Sequence, residues 1–210
     1  MSASLITLVT IGLVQLLAVI SPGPSFIVTA KTAVARSRHD GIKIALGLSA
    51  GTLVWSTAAL LGLNALFRLH HWLFVGMKIA GALFLLWIAI QIFRHATAPV
   101  ELRAGDDQAS AGNAFLRGFL TQLSNPKVAV FFGSIFVAML PQDVSAWMAV
   151  ALIAIVTTNE LVWYVLVALC FGSAPVRRFY LGAKAWIDRA TGLFLGALSV
   201  RILMLAGESA

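Results

Sequence analysis

Long apolar runs alternate with short polar connections along the whole chain. The runs occupy residues 5–35, 42–67, 72–93, 114–140, 146–171 and 186–205. A helix rises ~1.5 Å per residue, so ~20 apolar residues cross the ~30 Å hydrocarbon core of a bilayer. All six runs reach that length, and the pattern predicts an all-α membrane protein of six transmembrane helices. The first run would be roughly 46 Å long if straight, more than the core requires. It is expected to bend and to emerge near Lys31. The longest polar stretch, residues 94–113, divides the runs three and three. Because three is odd, the second half enters the membrane in the opposite sense to the first, as an inverted repeat requires. The expected organisation is one transmembrane domain over 1–210, with half-repeats 1–93 and 114–207 joined by a cytoplasmic loop 94–113.

Each half opens with a run that proline interrupts: Ser21-Pro22-Gly23-Pro24 in the first and Asn125-Pro126 in the fourth. Proline removes a backbone donor and clashes with the preceding turn. Hydrocarbon has no water to satisfy the freed carbonyls, so a broken span needs protein or a wet cavity around it. Ser and Asn are preferred N-caps, and proline suits the first helical position. Each break therefore reads as a helix restart, with Ser21 and Asn125 as the caps. A restarted helix presents free N–H groups and about half a positive charge, which favours anions. The two restarts run in opposite senses and are expected to meet near the midplane, where Gly23 lets a ligand or a backbone approach. Two kinks absorbed by packing are the competing account.

Composition and charge sharpen this picture. The chain of 210 residues is 60% hydrophobic and 11% charged, against ~25% charged for a soluble domain. The formal charge is +7, but the cations sit in short connections rather than in a stripe that would fit nucleic acid. Eleven of the fifteen Lys and Arg fall after the first, third and fifth runs: Lys31, Arg36, Arg38, Lys43, Arg94, Arg103, Arg117, Arg177, Arg178, Lys184 and Arg189. By the positive-inside rule these face the cytoplasm and anionic lipid, and both termini lie outside. No basic segment precedes the first run, which reads as a retained span rather than a removed signal. Cys170 has no second cysteine to pair with. The four histidines lack ligand spacing, and no cofactor or metal site is expected.

Charges inside the runs are functional candidates, because they are costly in hydrocarbon. Glu160, next to Asn159, lies near the middle of the fifth run and needs either a cation partner or a bound proton. Either state suits holding an ammonium or carrying a proton. Lys78 in the third run is placed to pair with Glu160 or to snorkel outward. Lys127 stands in the first turn of a restarted helix, where the dipole opposes a cation. An anion should compensate it, either Glu160 or a bound carboxylate. Gly47 and Gly51, and again Gly192 and Gly196, have the spacing of close helix contacts, which also admits a homodimer.

Ser21-Pro22-Gly23-Pro24 followed by a basic loop and Gly41-x5-Gly47-x3-Gly51 resembles the LysE/RhtB family of bacterial amino-acid exporters. Lys78-x-x-Gly81 and Gly118-Phe-Leu-x-x-Leu-x-Asn-Pro-Lys-x-x-x-Phe-Phe are similar to the same family, in the same order. The resemblance implies a six-span exporter of the bacterial inner membrane. It would move threonine-, homoserine- or lysine-like amino acids or close derivatives outward against entering protons. It also implies a substrate site at Ser21, Pro22, Gly23, Pro24, Asn125, Pro126 and Lys127, with Lys78 by position and Glu160 in the zone of an acidic residue of the fifth span. Asn159, beside Glu160, is added to the expected substrate site, and Glu160 and Lys78 are expected in proton coupling. Relatives commonly carry aspartate in the zone of Glu160. Branches that move metal ions or reducing equivalents use His-rich loops or cysteine pairs, and this chain has neither. The rival readings are a membrane enzyme or lipid-handling protein, or a passive channel, using the same cavity. An enzyme would need a nucleophile–base set or a metal-ligand cluster, and the runs contain no HExxH or Ser/His pairing.

Overall fold

A computed structural model describes residues 2–67, 71–99, 113–141 and 144–207. The described residues form helices and connections only: α1 (Ser2–Ile20), α2 (Pro24–Ala35), α3 (Arg38–Phe67), α4 (His71–Arg94), α5 (Ala114–Leu123), α6 (Pro126–Met139), α7 (Ala146–Cys170) and α8 (Ala174–Gly207). The first and fourth apolar runs are broken where the prolines fall. Ser4–Ile20 and α2 meet at a bend of 53°. Among the described residues, two helices are long and apolar enough to cross a membrane, Arg38–Gly62 and Ala146–Cys170, and the bent pair makes a third. Six crossings were expected from hydropathy. The break divides the fourth run into α5 and α6, neither long enough to cross alone.

The last helix also corrects a boundary. It starts at Ala174, twelve residues before the apolar run at 186. Ser173 and Pro175 begin it, with the Arg177 N–H donating to the Ser173 carbonyl at 3.1 Å. Nothing between them and Trp186 breaks a helix, so the polar sequence there forms a helical arm rather than a loop. Elsewhere local chemistry sets the ends. Ser37 accepts from the Asp40 N–H at 3.0 Å before α3, and Asn113 accepts from the Phe115 N–H at 3.0 Å before α5.

Packing follows the small residues. Without water between helices, close backbone approach provides the contact. α3 lies along α5 and α7, α4 along α8 and α6, and α1 along α7. A side chain at Gly47 would strike the Phe115 carbonyl, and one at Gly118 would strike the Ile44 carbonyl. At Gly192 it would meet the Ala89 carbonyl at 2.8 Å, whereas Gly196 has ordinary space around it. Both glycine pairs thus face helices of the same chain, which removes the reason to expect a dimer through them.

The apolar core falls into two main clusters. One gathers Ile11, Val14, Leu85, Phe132, Phe136, Leu152 and Val156; the other gathers Phe26, Ile44, Leu48, Tyr164, Val167, Phe171 and Tyr180. Helix α7 joins them through one buried stripe: Met148, Leu152, Val156, Glu160, Tyr164 and Ala168. Their four-residue spacing puts all six on one helix face. Glu160 is the single charged residue of that stripe. Large apolar side chains cover the outside, with Ile6, Val150 and Leu193 each about two-thirds exposed, as lipid-facing helices require.

Candidate functional site

The two breaks meet, but they are built differently. At the second, Asn125 caps α6: its side-chain oxygen accepts from the Lys127 N–H at 3.0 Å, and Pro126 takes the first helical position. Its Nδ2 donates to Ser25 Oγ on α2 at 3.0 Å. The Val128 and Ala129 N–H groups are taken by the Asn125 carbonyl at 3.0 and 3.2 Å. The first turn of α6 is therefore satisfied locally.

At the first break the expected cap is displaced. Gly23, not Ser21, is the N-cap of α2, with Pro24 next, and no side chain caps this end. Glycine has no side-chain oxygen to offer, so the N-terminus of α2 is the one without a side-chain cap. The Ser21 hydroxyl is drawn instead to α8, where it donates to Asp188 Oδ1 at 2.8 Å. The freed carbonyls of α1 find donors from elsewhere. Tyr180 O–H donates to Ile20 O at 2.6 Å, and the Lys127 ammonium donates to Ala18 O at 2.9 Å and Ser21 O at 3.3 Å.

That last contact adds to the account of Lys127. Lys127 forms no ion pair among the described residues, while the charges of Asp188 and Glu160 act on it from farther off. Its charge lies on the carbonyl end of α1, where the negative end of the helix dipole favours a cation. A side chain from the second break thus closes the first.

Glu160 is likewise not ion-paired among the described residues. Its two oxygens each accept from an amide, Oε2 from Gln15 Nε2 at 3.1 Å and Oε1 from Gln122 Nε2 at 2.7 Å. Gln122 also donates to Thr52 at 2.7 Å and accepts from Ser25 at 2.6 Å. On the other side, Asn159 Nδ2 donates to Gln15 Oε1 at 3.0 Å and to Gly12 O at 3.0 Å. A buried polar chain therefore runs from Asn159 through Gln15, Glu160, Gln122 and Ser25 to Asn125. Lys78 belongs to α4, and its side chain lies outside the described residues.

Two cavities flank the meeting point. A small one of about 40 Å³ is lined by Gln15, Gly23, Ser25, Asn125, Lys127, Glu160 and Tyr164, among others. It has room for water and not for an amino acid. A larger one of about 770 Å³ is lined by Ser21, Pro22, Lys31, Trp87, His95, Pro126, Lys127, Lys184 and Asp188, among others, a size suited to a small ligand. Ser21 and Lys127 line both and form the partition.

This arrangement suits moving a small polar solute past a closed point, and comparison with known proteins agrees. The profile of the LysE type translocator family matches residues 3–206. The chain belongs to that family. It is 33% identical to the threonine efflux protein of Salmonella typhi over 198 residues, 93% of this chain and 96% of that one. It is 32% identical to the threonine efflux protein of Escherichia coli (strain K12) over 203 residues, 95% and 98% of the two chains. The leucine efflux protein of Salmonella choleraesuis is 28% identical over 184 residues, 87% and 85%. No solved structure matches.

In this translocator the sequence reading missed Gln15, Ser25, Thr52, Gln122, Tyr180 and Asp188. Amides and hydroxyls carry no charge and do not interrupt an apolar run. The available signal was Gln15 and Gln122, two large polar side chains each within ten residues of a proline break. Asp188 stood among charges at the margin of a run, where only the cations were counted. Lys184, read as a loop cation, is buried, donating to His95 O at 3.1 Å and Ala96 O at 2.9 Å and pairing with Asp188 at 2.9 Å.

Proposed function

We propose that this translocator is a secondary transporter of the bacterial inner membrane that exports an amino acid or a close derivative in exchange for protons. The observation that carries the reading is Lys127, which bridges the two breaks and separates a ligand-sized cavity from a small one holding Glu160. The names of the relatives support an amino acid as the solute. A carboxylate would find the Lys127 ammonium and the uncapped N-terminus of α2 together. Ser21, Pro22 and Pro126 line the larger cavity beside Lys127, Gly23 and Asn125 line the small one, and Pro24 starts α2. Asn159 orients Gln15, which holds Glu160. Glu160 would take and release the coupling proton, with Lys78 tuning it.

The larger cavity is lined by Lys31, His95 and Lys184. The positive-inside rule puts that end in the cytoplasm, with both termini in the periplasm. The cavity would then be the cytoplasmic entrance of an inward-facing state. An inverted repeat of 1–93 and 114–207 is supported by the pairing of equivalent helices, α3 with α7 and α4 with α8. Rocking of one half against the other would break the Lys127 contacts and pass the solute outward.

The test is export of labelled threonine from cells overproducing the protein, with and without a collapsed proton gradient. Wild type should export in a gradient-dependent way. Glu160→Gln, present at wild-type abundance, should lose most gradient-driven export while retaining exchange of internal for external threonine. Wild-type gradient dependence in that variant would sink the coupling role.

A further inference from the structure

We infer that Asp188 binds the substrate's ammonium group, so that the site recognises an α-amino acid by both of its charged ends. This deepens the proposed export function and rests on it. Glu160 is poorly placed for that task. The cavity beside it holds about 40 Å³, too little for an amino acid. Asp188 lines the cavity of about 770 Å³ and is the one acid among its described lining residues, alongside Lys31, Lys127 and Lys184.

The local bonding gives Asp188 capacity and direction. Lys184 spends its three N–H donors on His95 O, Ala96 O and Asp188 Oδ2. It is thereby fixed on the Oδ2 side of the carboxylate. The other oxygen, Oδ1, accepts from the Ser21 hydroxyl, a neutral donor that an ammonium can displace or join, since a carboxylate oxygen accepts two bonds. Ser21 also sets the spacing. Its hydroxyl meets Asp188 and its carbonyl meets Lys127 at 3.3 Å. The carboxylate and the ammonium of the protein thus stand on either side of one residue. A zwitterion of amino-acid size bridges them with its carboxylate toward Lys127 and its ammonium toward Asp188.

The test uses purified full-length protein in detergent, with binding of L-threonine and N-acetyl-L-threonine read by calorimetry. The acetylated probe keeps the carboxylate and lacks the cation. Wild type should bind threonine at least about tenfold more tightly than the acetylated probe, the effect expected of a charge-assisted hydrogen bond. Asp188→Asn should bring the two affinities to within about twofold by weakening threonine alone, and Asp188→Glu should restore part of the preference. If Asp188→Asn fails to fold because Lys184 is left unpaired, the double variant Lys184→Met/Asp188→Asn carries the same expectation. An undiminished preference in the folded variant overturns the assignment and leaves the export reading standing. Failure of wild type to bind or exchange any of the common amino acids overturns the export reading, and this inference with it.

Discussion

The two breaks look alike on paper and differ in what holds them. At Asn125-Pro126 the chain serves itself: the cap, the proline and the carbonyl bonds to Val128 and Ala129 all come from within five residues. At Ser21-Pro22-Gly23-Pro24 the chain serves almost nothing locally. Its carbonyls depend on Tyr180 and Lys127, and its serine on Asp188, each more than a hundred residues away. A break closed by its own residues keeps its geometry when helices shift. A break closed by distant side chains opens when they leave. The first break is therefore the element suited to change between states, and the second is the rigid arm that carries Lys127 to it.

The largest effect should come from removing that link. Lys127→Met strips the donor from the Ala18 and Ser21 carbonyls, at a cost of ~1.5–3 kcal/mol for charged hydrogen bonds. It should lower the thermal midpoint in detergent more than any other change at the breaks, and reduce export at least about tenfold. A midpoint within a degree or so of wild type would show that the first break does not depend on the second.

Asn125→Ala should come next. It loses a cap worth ~1 kcal/mol and the bond to Ser25. Because the rest of the second break is local, thermal denaturation should show a smaller loss than for Lys127→Met. Reversal of that order would contradict the rigid-arm picture. Tyr180→Phe leaves Ile20 O without its donor and should cost ~1 kcal/mol, read in the same assay. No change would mean that another group serves that carbonyl.

The smallest effect is expected at Gly23. Its φ of −146° suits any residue, and an added Cβ would meet Lys127 no closer than 3.8 Å. Gly23→Ser supplies the missing cap and should raise stability by a few tenths of a kcal/mol. A marked loss of stability would show that the glycine is required for close approach after all.

Much of the fold could be read from hydropathy, because lipid requires long apolar helices whatever they pack against. The breaks could be read because proline acts on its own backbone. The arm of α8 before Trp186 could not, since a polar helix stabilised by packing has the composition of a loop. The cap at Ser21 was misplaced for a related reason. Serine and glycine both suit that position locally, and the pull of Asp188 decided between them. The polar chain around Glu160 joins residues as far apart as Gln15 and Glu160.

The sequence by itself determined that the chain is helical and apolar, that two helices break and restart, and that Glu160 and Lys127 lie within apolar runs. Those properties follow from each residue's backbone limits and its cost in hydrocarbon. Tertiary structure alone decided the partners: Lys127 on the carbonyls of α1, Glu160 between two amides, Ser21 on Asp188. Buried polar groups must find partners wherever the packing offers them, and spacing along the chain does not encode which distant donor arrives.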